Sequence, residues 1–143
     1  MRLAILGASG HGKVIADAAE QLGWKTITFF DDAWPGLEKN GPWVVRGDTK
    51  ALLASLSAFD GVVVGIGSNR IREEKQTELA RAKARFANII HPSAIISPHA
   101  SIGEGSVIFA NAVVNPCAVV GAGVIVNTGA VVEHDCVVGD FAH

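Results

Sequence analysis

Residues 88–138 divide into hexads: NIIHPS (88–93), AIISPH (94–99), ASIGEG (100–105), SVIFAN (106–111), AVVNPC (112–117), AVVGAG (118–123), VIVNTG (124–129), AVVEHD (130–135) and CVV (136–138). One aliphatic side chain returns every sixth residue, at Ile90, Ile96, Ile102, Ile108, Val114, Val120, Val126, Val132 and Val138. Two residues before each sits a small residue, from Asn88 through Ala94, Ala100, Ser106, Ala112, Ala118 and Ala130 to Cys136, with Val124 as the exception. A period of six fits neither a helix, which repeats every 3.6 residues, nor a strand, which repeats every two. It is the period of a parallel β-helix, in which short strands coil around a triangular core. Three hexads close a coil of 18 residues, so equivalent side chains stack one coil apart. The branched residue points inward and the small one lets the chain pass a corner. Ile90 to His143 holds 54 residues, three coils.

Upstream of the repeat the pattern changes. Residues 2–6 (RLAIL) read as a buried strand and GASGHG (7–12) as a glycine turn, followed by a helix over Lys13–Leu22 that Gly23 stops. Residues 26–30 (TITFF) read as a second strand ending in Asp31 and Asp32. Residues 33–47, with two Pro and three Gly, read as a long loop holding at most one short strand. A short helix over 49–56, a third buried strand over 62–66 and a charged helix over 70–85 complete the series. Strand, helix, strand, helix, strand in this length means a parallel sheet with right-handed crossovers. The chain therefore divides into a Rossmann-like βαβαβ domain (1–87) and an incomplete β-helix of about three coils (88–143), α/β followed by all-β.

Composition removes several function classes. Apolar residues make up 49% of the 143, and the formal net charge is −2. The 12 Lys and Arg are dispersed and outnumbered by 14 Asp and Glu, which is no footprint for nucleic acid. No apolar run approaches the roughly 18 residues of a membrane span, and the N-terminus lacks a signal-peptide pattern, so a cytoplasmic location is expected. No clustered Cys/His spacing points to a metal. Cys117 and Cys136 are 19 apart, one more than a coil, so no disulfide is expected; Cys136 takes a small-residue position and reads as core.

The glycine turn follows a strand and opens a helix, which is the context that gives such glycines meaning. Gly7 suits the tight turn, while Gly10 and Gly12 let backbone N–H groups approach an anion at a helix N-terminus. Lys13 can add positive charge, and Asp31 or Asp32 can accept hydrogen bonds from a ribose or a base. A nucleotide or nucleotide sugar suits this arrangement; a turn without ligand is the plain alternative. A nicotinamide dehydrogenase fits less well. Only about one mononucleotide-binding half is present, the chain has no tyrosine for a catalytic role, and hydride transfer has no use for a β-helix. In the repeat, His134 falls two residues after Val132, at a corner, where Asp135 or Glu133 can stabilise its protonated form; a solvated polar corner is equally compatible with the spacing. His91 and His99 occupy earlier corners.

GASGHGK, FFDD, GIGSNRIR, HPSAIIS and NTGAVVEHDCVVGDFAH together closely resemble the sialic-acid O-acetyltransferase-like sugar acyltransferases, among them the N-acetyltransferases of nucleotide-linked 4-amino sugars in bacillosamine and perosamine pathways. The likeness runs from residue 1 to residue 143, and the pairing of glycine turn with hexapeptide repeat is what makes it specific. It implies a homotrimer of left-handed β-helices, with acetyl-CoA in the groove between two of them and the nucleotide sugar on the N-terminal domain. It implies that His134 is the general base, that Asp135 tunes it, and that His143 contacts acetyl-CoA. It places the nucleotide site around Gly10, His11, Gly12, Lys13, Asp31, Asp32, Gly67, Asn69 and Arg70. The expected reaction is acetyl transfer to a nucleotide-linked 4-amino-4-deoxy sugar for surface glycan or glycoprotein synthesis. O-acetylation of a sugar such as sialic acid and a non-catalytic nucleotide-binding module are the alternatives. Members of the family run on for several more coils, and their oxyanion-stabilising N–H lies about one coil past the base, so the chain reads as part of a longer protein.

Overall fold

The computed structural model describes residues 1–143. β1 (Arg2–Leu6) is the centre of a three-stranded parallel sheet, flanked by β2 (Thr26–Phe30) and β5 (Gly61–Val64) in the order β2–β1–β5. Leu3, Ala4 and Ile5 are fully buried, as a parallel strand covered on both faces requires. α1 (Gly10–Gln21) covers one face with Ile15, Ala18 and Ala19. α2 (Thr49–Ala54) and α3 (Asn69–Arg81) cover the other, where Leu52 and Leu79 meet Ala4, Leu6, Val62 and Val64. A short 3₁₀ turn, Leu56–Ala58, follows α2.

Two of the expected boundaries move for identifiable reasons. The helix expected from Lys13 starts at Gly10, because the Ser9 hydroxyl accepts from the Gly12 N–H and caps it, so the second half of the glycine turn is helix. The helix expected to run to Arg85 stops at Arg81, with Ala84 N–H returning to the Leu79 carbonyl around Lys83, whose φ is +62°. The loop over 33–47 contains a small hairpin, β3 (Lys39–Asn40) and β4 (Trp43–Val44). Its Trp43 indole N–H donates to Glu20 of α1 at 2.5 Å.

From Ile89 the chain coils. Nine two-residue strands follow: β6 (Ile89–Ile90), β7 (Ile95–Ile96), β8 (Ser101–Ile102), β9 (Val107–Ile108), β10 (Val113–Val114), β11 (Val119–Val120), β12 (Ile125–Val126), β13 (Val131–Val132) and β14 (Val137–Val138). They stack into three parallel sheets, β6–β9–β12, β7–β10–β13 and β8–β11–β14, each strand paired 18 residues on, as Ile90 with Ile108 and Ile108 with Val126. The second residue of each strand faces the axis. Ile108, Val114, Val120 and Val126 are buried, with Ile96, Ile102 and Val132 packed against them, as the six-residue period requires. The small residues Ala112 and Ala118 close the same core at the corners. Seven consecutive corners, at 105, 111, 117, 123, 129, 135 and 141, hold a residue with φ between +60° and +74°. Gly, Asn and Asp occupy five of these left-handed positions; Cys117 and Phe141 are the unusual occupants.

Cys136 is exposed, contrary to its reading as core. It belongs to the third coil, whereas Ala118, one coil below, is fully buried. The outer face of β6–β9–β12 is the one that meets the N-terminal domain: Ile89, Val107 and Ile125 share a core with Ile15, Ala18 and Ala19 of α1. No helix is long and apolar enough to cross a membrane.

Candidate functional site

The glycine turn is held by its own chain. Gly7 has φ +115°, and a Cβ there would sit 2.6 Å from Ile66, so glycine is required. A Cβ on Gly12 would overlap the Gly7 carbonyl oxygen, whereas one on Gly10 would meet nothing within 4 Å. The first helical bond runs from Lys13 N–H to the Ser9 carbonyl, so the N–H groups of Gly10 and His11 are left without intrahelical partners at an open helix end. The Lys13 side chain is exposed beside them.

The two aspartates divide their work. Asp31 accepts from the Ala8 N–H at 2.8 Å and the Ala33 N–H at 2.9 Å, bracing the turn. Asp32 accepts from the Thr49 N–H at 2.8 Å and hydroxyl at 2.7 Å, and from the Lys75 ammonium at 3.1 Å. The Thr49 hydrogen bonds, followed by Lys75, hold its carboxyl below the usual carboxylate value. Between the carboxyl ends of β1, β2 and β5 these residues enclose a crevice of about 130 Å³ with Gly7, Ile66, Ile71 and Lys75. That is the switch-point location where open α/β sheets take ligands. It is smaller than the ~300–1,000 Å³ of most ligand pockets.

His11 joins this turn to the β-helix. Its ring stands edge-on to Phe109 at 5.5 Å between centroids, and its buried Nε2 has no hydrogen-bond partner. Burial first, then the positive charges of Arg72 and His143, lower its pKa from 6.5 to about 4, so the imidazole is neutral near pH 7. His143 lies beside it, with its Nε2 3.3 Å from the Asn127 amide nitrogen. Asn127 and His143 also border a cavity of about 240 Å³ at the end of the coil, floored by Val126, Val132 and Val138. Residues from opposite ends of the sequence thus meet here.

His134 stands elsewhere, at the corner between β13 and β14. Its Nδ1 is 2.8 Å from Asp135 Oδ2, and the two side chains are 74% and 73% exposed. The Asp135 hydrogen bond and charge, with a smaller contribution from Glu133, raise the imidazole pKa above 6.5. Bound at Nδ1, the ring presents Nε2 outward. Asp135 itself sits at φ +61°. His134 and His143 are half a coil apart, so one chain does not bring them together.

The loop after β5 places the remaining expected residues. The Gly67 carbonyl and the Asn69 side-chain oxygen both accept from Arg72, at 3.0 and 2.9 Å. Arg70 points away, paired with Glu74 at 2.8 Å on the exposed face of α3. Sequence reading passed over Arg72, Lys75, Thr49 and Phe109. The signal for Arg72 was present: Arg72, Gln76 and Leu79 follow helical spacing, which puts the arginine on the buried face.

The fold recurs in known proteins. The profile of the PglD N-terminal domain family matches residues 2–79. A UDP-N-acetylbacillosamine N-acetyltransferase of Bacillus subtilis (strain 168) is 37% identical over 109 residues, 74% of this chain and 50% of that protein. The chain therefore spans about half the length of this curated relative. Among solved structures, the acetyltransferase domain of PglB from Neisseria gonorrhoeae FA1090, in complex with acetyl coenzyme A, superposes with a TM-score of 0.91 at 43% identity, covering 98% of this chain and 68% of that one. PerB from Caulobacter crescentus, in complex with CoA and GDP-perosamine, gives 0.91 at 31% identity, covering 99% and 67%.

Proposed function

From the premise that this chain belongs to the PglD N-terminal domain family, we propose that it is part of an acetyl-CoA-dependent N-acetyltransferase acting on a nucleotide-linked 4-amino sugar. The observation that carries the reading is the His134–Asp135 pair, an exposed imidazole whose Nδ1 is engaged by a carboxylate at 2.8 Å while Nε2 is left to work. The relatives support it, one named for N-acetylation of a bacillosamine nucleotide and two others holding acetyl-CoA or CoA with GDP-perosamine.

In this reaction the neutral amine attacks the thioester carbonyl of acetyl-CoA. As the C–N bond forms, His134 Nε2 takes the amine proton, and Asp135 stabilises the imidazolium. The C–S bond then breaks and the proton passes to the departing CoA thiolate, leaving amide and free thiol. General-base help of this kind contributes roughly 10²–10⁴ in rate. The open N–H groups of Gly10 and His11, with Lys13, suit a diphosphate, and the crevice bordered by Asp31 and Asp32 suits the nucleoside. We assign residues 1–87 to the nucleotide sugar and 88–143 to the acyl donor, with His143 on the donor side.

Because the base and the His11–His143 corner lie half a coil apart in one chain, the complete site is proposed to form between copies in a homotrimer. Exposed aliphatic side chains at Ile95, Val131, Val119 and Val137 on the two outer sheets supply the apolar surface for that contact. The test is release of CoA thiol with acetyl-CoA and UDP-, GDP- or dTDP-linked 4-amino sugars, alongside calorimetry with the three nucleoside diphosphates. Turnover of an amino sugar, abolished in His134→Ala, supports the reading. Turnover only of hydroxyl acceptors overturns it in favour of O-acetylation.

A further inference from the structure

Arg72 is the bulkiest fully buried side chain in the molecule, only 2% exposed. A buried cation is ordinarily paired with a carboxylate, because removing it from water uncompensated is costly. Arg72 has none. Its six hydrogen bonds all end on neutral oxygens: Nε on the Gly123 carbonyl at 2.7 Å, Nη1 on the Ile66 and Gly67 carbonyls at 3.0 Å each, and Nη2 on Asn69 Oδ1 at 2.9 Å and the Phe141 and Ala142 carbonyls at 2.6 and 3.3 Å. The acceptors fall into two groups. Ile66 and Gly67 lie in the loop after β5 and Asn69 opens α3, on the nucleotide side. Gly123, Phe141 and Ala142 belong to the last corners of the β-helix, next to His143.

One turn along α3, Gln76 extends the seam by donating to the Glu104 carbonyl at 3.1 Å. The corners opposite it lack side chains: a Cβ on Gly105 would meet the Gln76 amide at 2.7 Å, and one on Gly123 would strike the Phe141 ring. An apolar side chain could fill this volume without the cost of a buried charge. What only a guanidinium supplies is a planar fork with donors fixed in several directions, reaching two separate segments at once.

We propose that Arg72 is a positioning residue, a charged strut that holds the loop after β5 in register with the end of the β-helix and thereby sets the spacing between the nucleotide-side turn and His143. The role in catalysis rests on the acetyltransferase reading; the strut itself does not. A lysine could keep the charge but reach only part of the acceptor set. The same charge acts on His11, whose titratable and charged neighbours are Arg72 from α3 and His143 from the chain end.

The test compares the wild-type chain with Arg72→Lys and Arg72→Met by amide hydrogen exchange and imidazole NMR. In Arg72→Lys, the amides of Gly123, Phe141 and Ala142, bonded to Glu104, Ala122 and Gly139, exchange faster by about tenfold or more, while β1 amides keep wild-type protection. The His11 midpoint stays low in Arg72→Lys, which keeps the charge, and rises only part of the way from about 4 in Arg72→Met, because burial is the larger cause of its shift. Wild-type exchange at the seam in Arg72→Lys overturns the proposal, and so does faster exchange spread evenly into β1. Should Arg72→Met fail to fold, the lysine variant decides alone. Calorimetry separates the two readings. If the wild type binds neither nucleotide nor CoA, the acetyltransferase reading falls while the exchange result still judges the strut.

Discussion

His11 and His134 are the same side chain in opposite surroundings. His134 is in water with a carboxylate at 2.8 Å, which favours the imidazolium and raises its pKa. His11 is packed against Phe109 and faces Arg72, and its pKa falls to about 4. At neutral pH one ring is poised to exchange a proton and the other is held neutral. A raised pKa means that the free-base form of His134 becomes dominant only above pH 6.5, so the acid limb of any rate that depends on it moves upward. Asp135→Asn removes the charge and keeps the shape. The His134 midpoint, followed by imidazole proton shifts, is expected above 6.5 in the wild type and lower in Asp135→Asn. An unchanged midpoint would remove Asp135 from the role of tuning the base.

A hexad carries its own instructions at the scale of the element. The inward branched residue, the small corner residue and the left-handed residue recur in step, and each coil meets only the next. Ser106 departs from the alanines common at its position in the hexad and shows what such a departure requires. It is fully buried, and its hydroxyl donates to the Gly121 carbonyl at 2.7 Å while accepting from the Val124 N–H at 3.0 Å. Ser106→Ala leaves both backbone groups short of a partner inside the coil. The cost is expected at about 1–3 kcal/mol of unfolding free energy, measured by urea denaturation. A change below a few tenths would mean that water replaces the hydroxyl.

For the whole molecule the open question is what covers the two outer sheets of the β-helix. The third, β6–β9–β12, is covered by α1, and its outward residues Ile89, Val107 and Ile125 are buried. The equivalent residues Ile95, Val131 and Val137 are 67%, 55% and 76% exposed. The outward column Ile95, Val113 and Val131 is apolar throughout, while Ser101 precedes Val119 and Val137 in the other; an apolar column marks a contact surface more than scattered exposure does. Sedimentation of the wild type is expected to show a trimer, and the double substitution Ile95→Glu with Val131→Glu a monomer. A wild type that stays monomeric at working concentrations would deny that these columns are a subunit contact.

The β-helix was legible because its rule is local and periodic: Ile108 and Val126 face inward for the same reason, and one misplaced residue would have broken the count. The three strands of the N-terminal sheet and the corner position of His134 were legible for similar reasons, an apolar run between breakers and a fixed offset from Val132. The start of α1 was missed because one capping hydroxyl, Ser9, decides whether Gly10–Gly12 are turn or helix. Cys136 was misjudged because its burial depends on what stacks above it. Arg72 and the neutrality of His11 belong to neither list. They arise where α3 and the glycine turn meet coil corners some 50 to 130 residues away in sequence. Periodicity determines which face of a strand or helix is apolar. Only the packing of one element against another decides which charges are shut away from water and what they must hold.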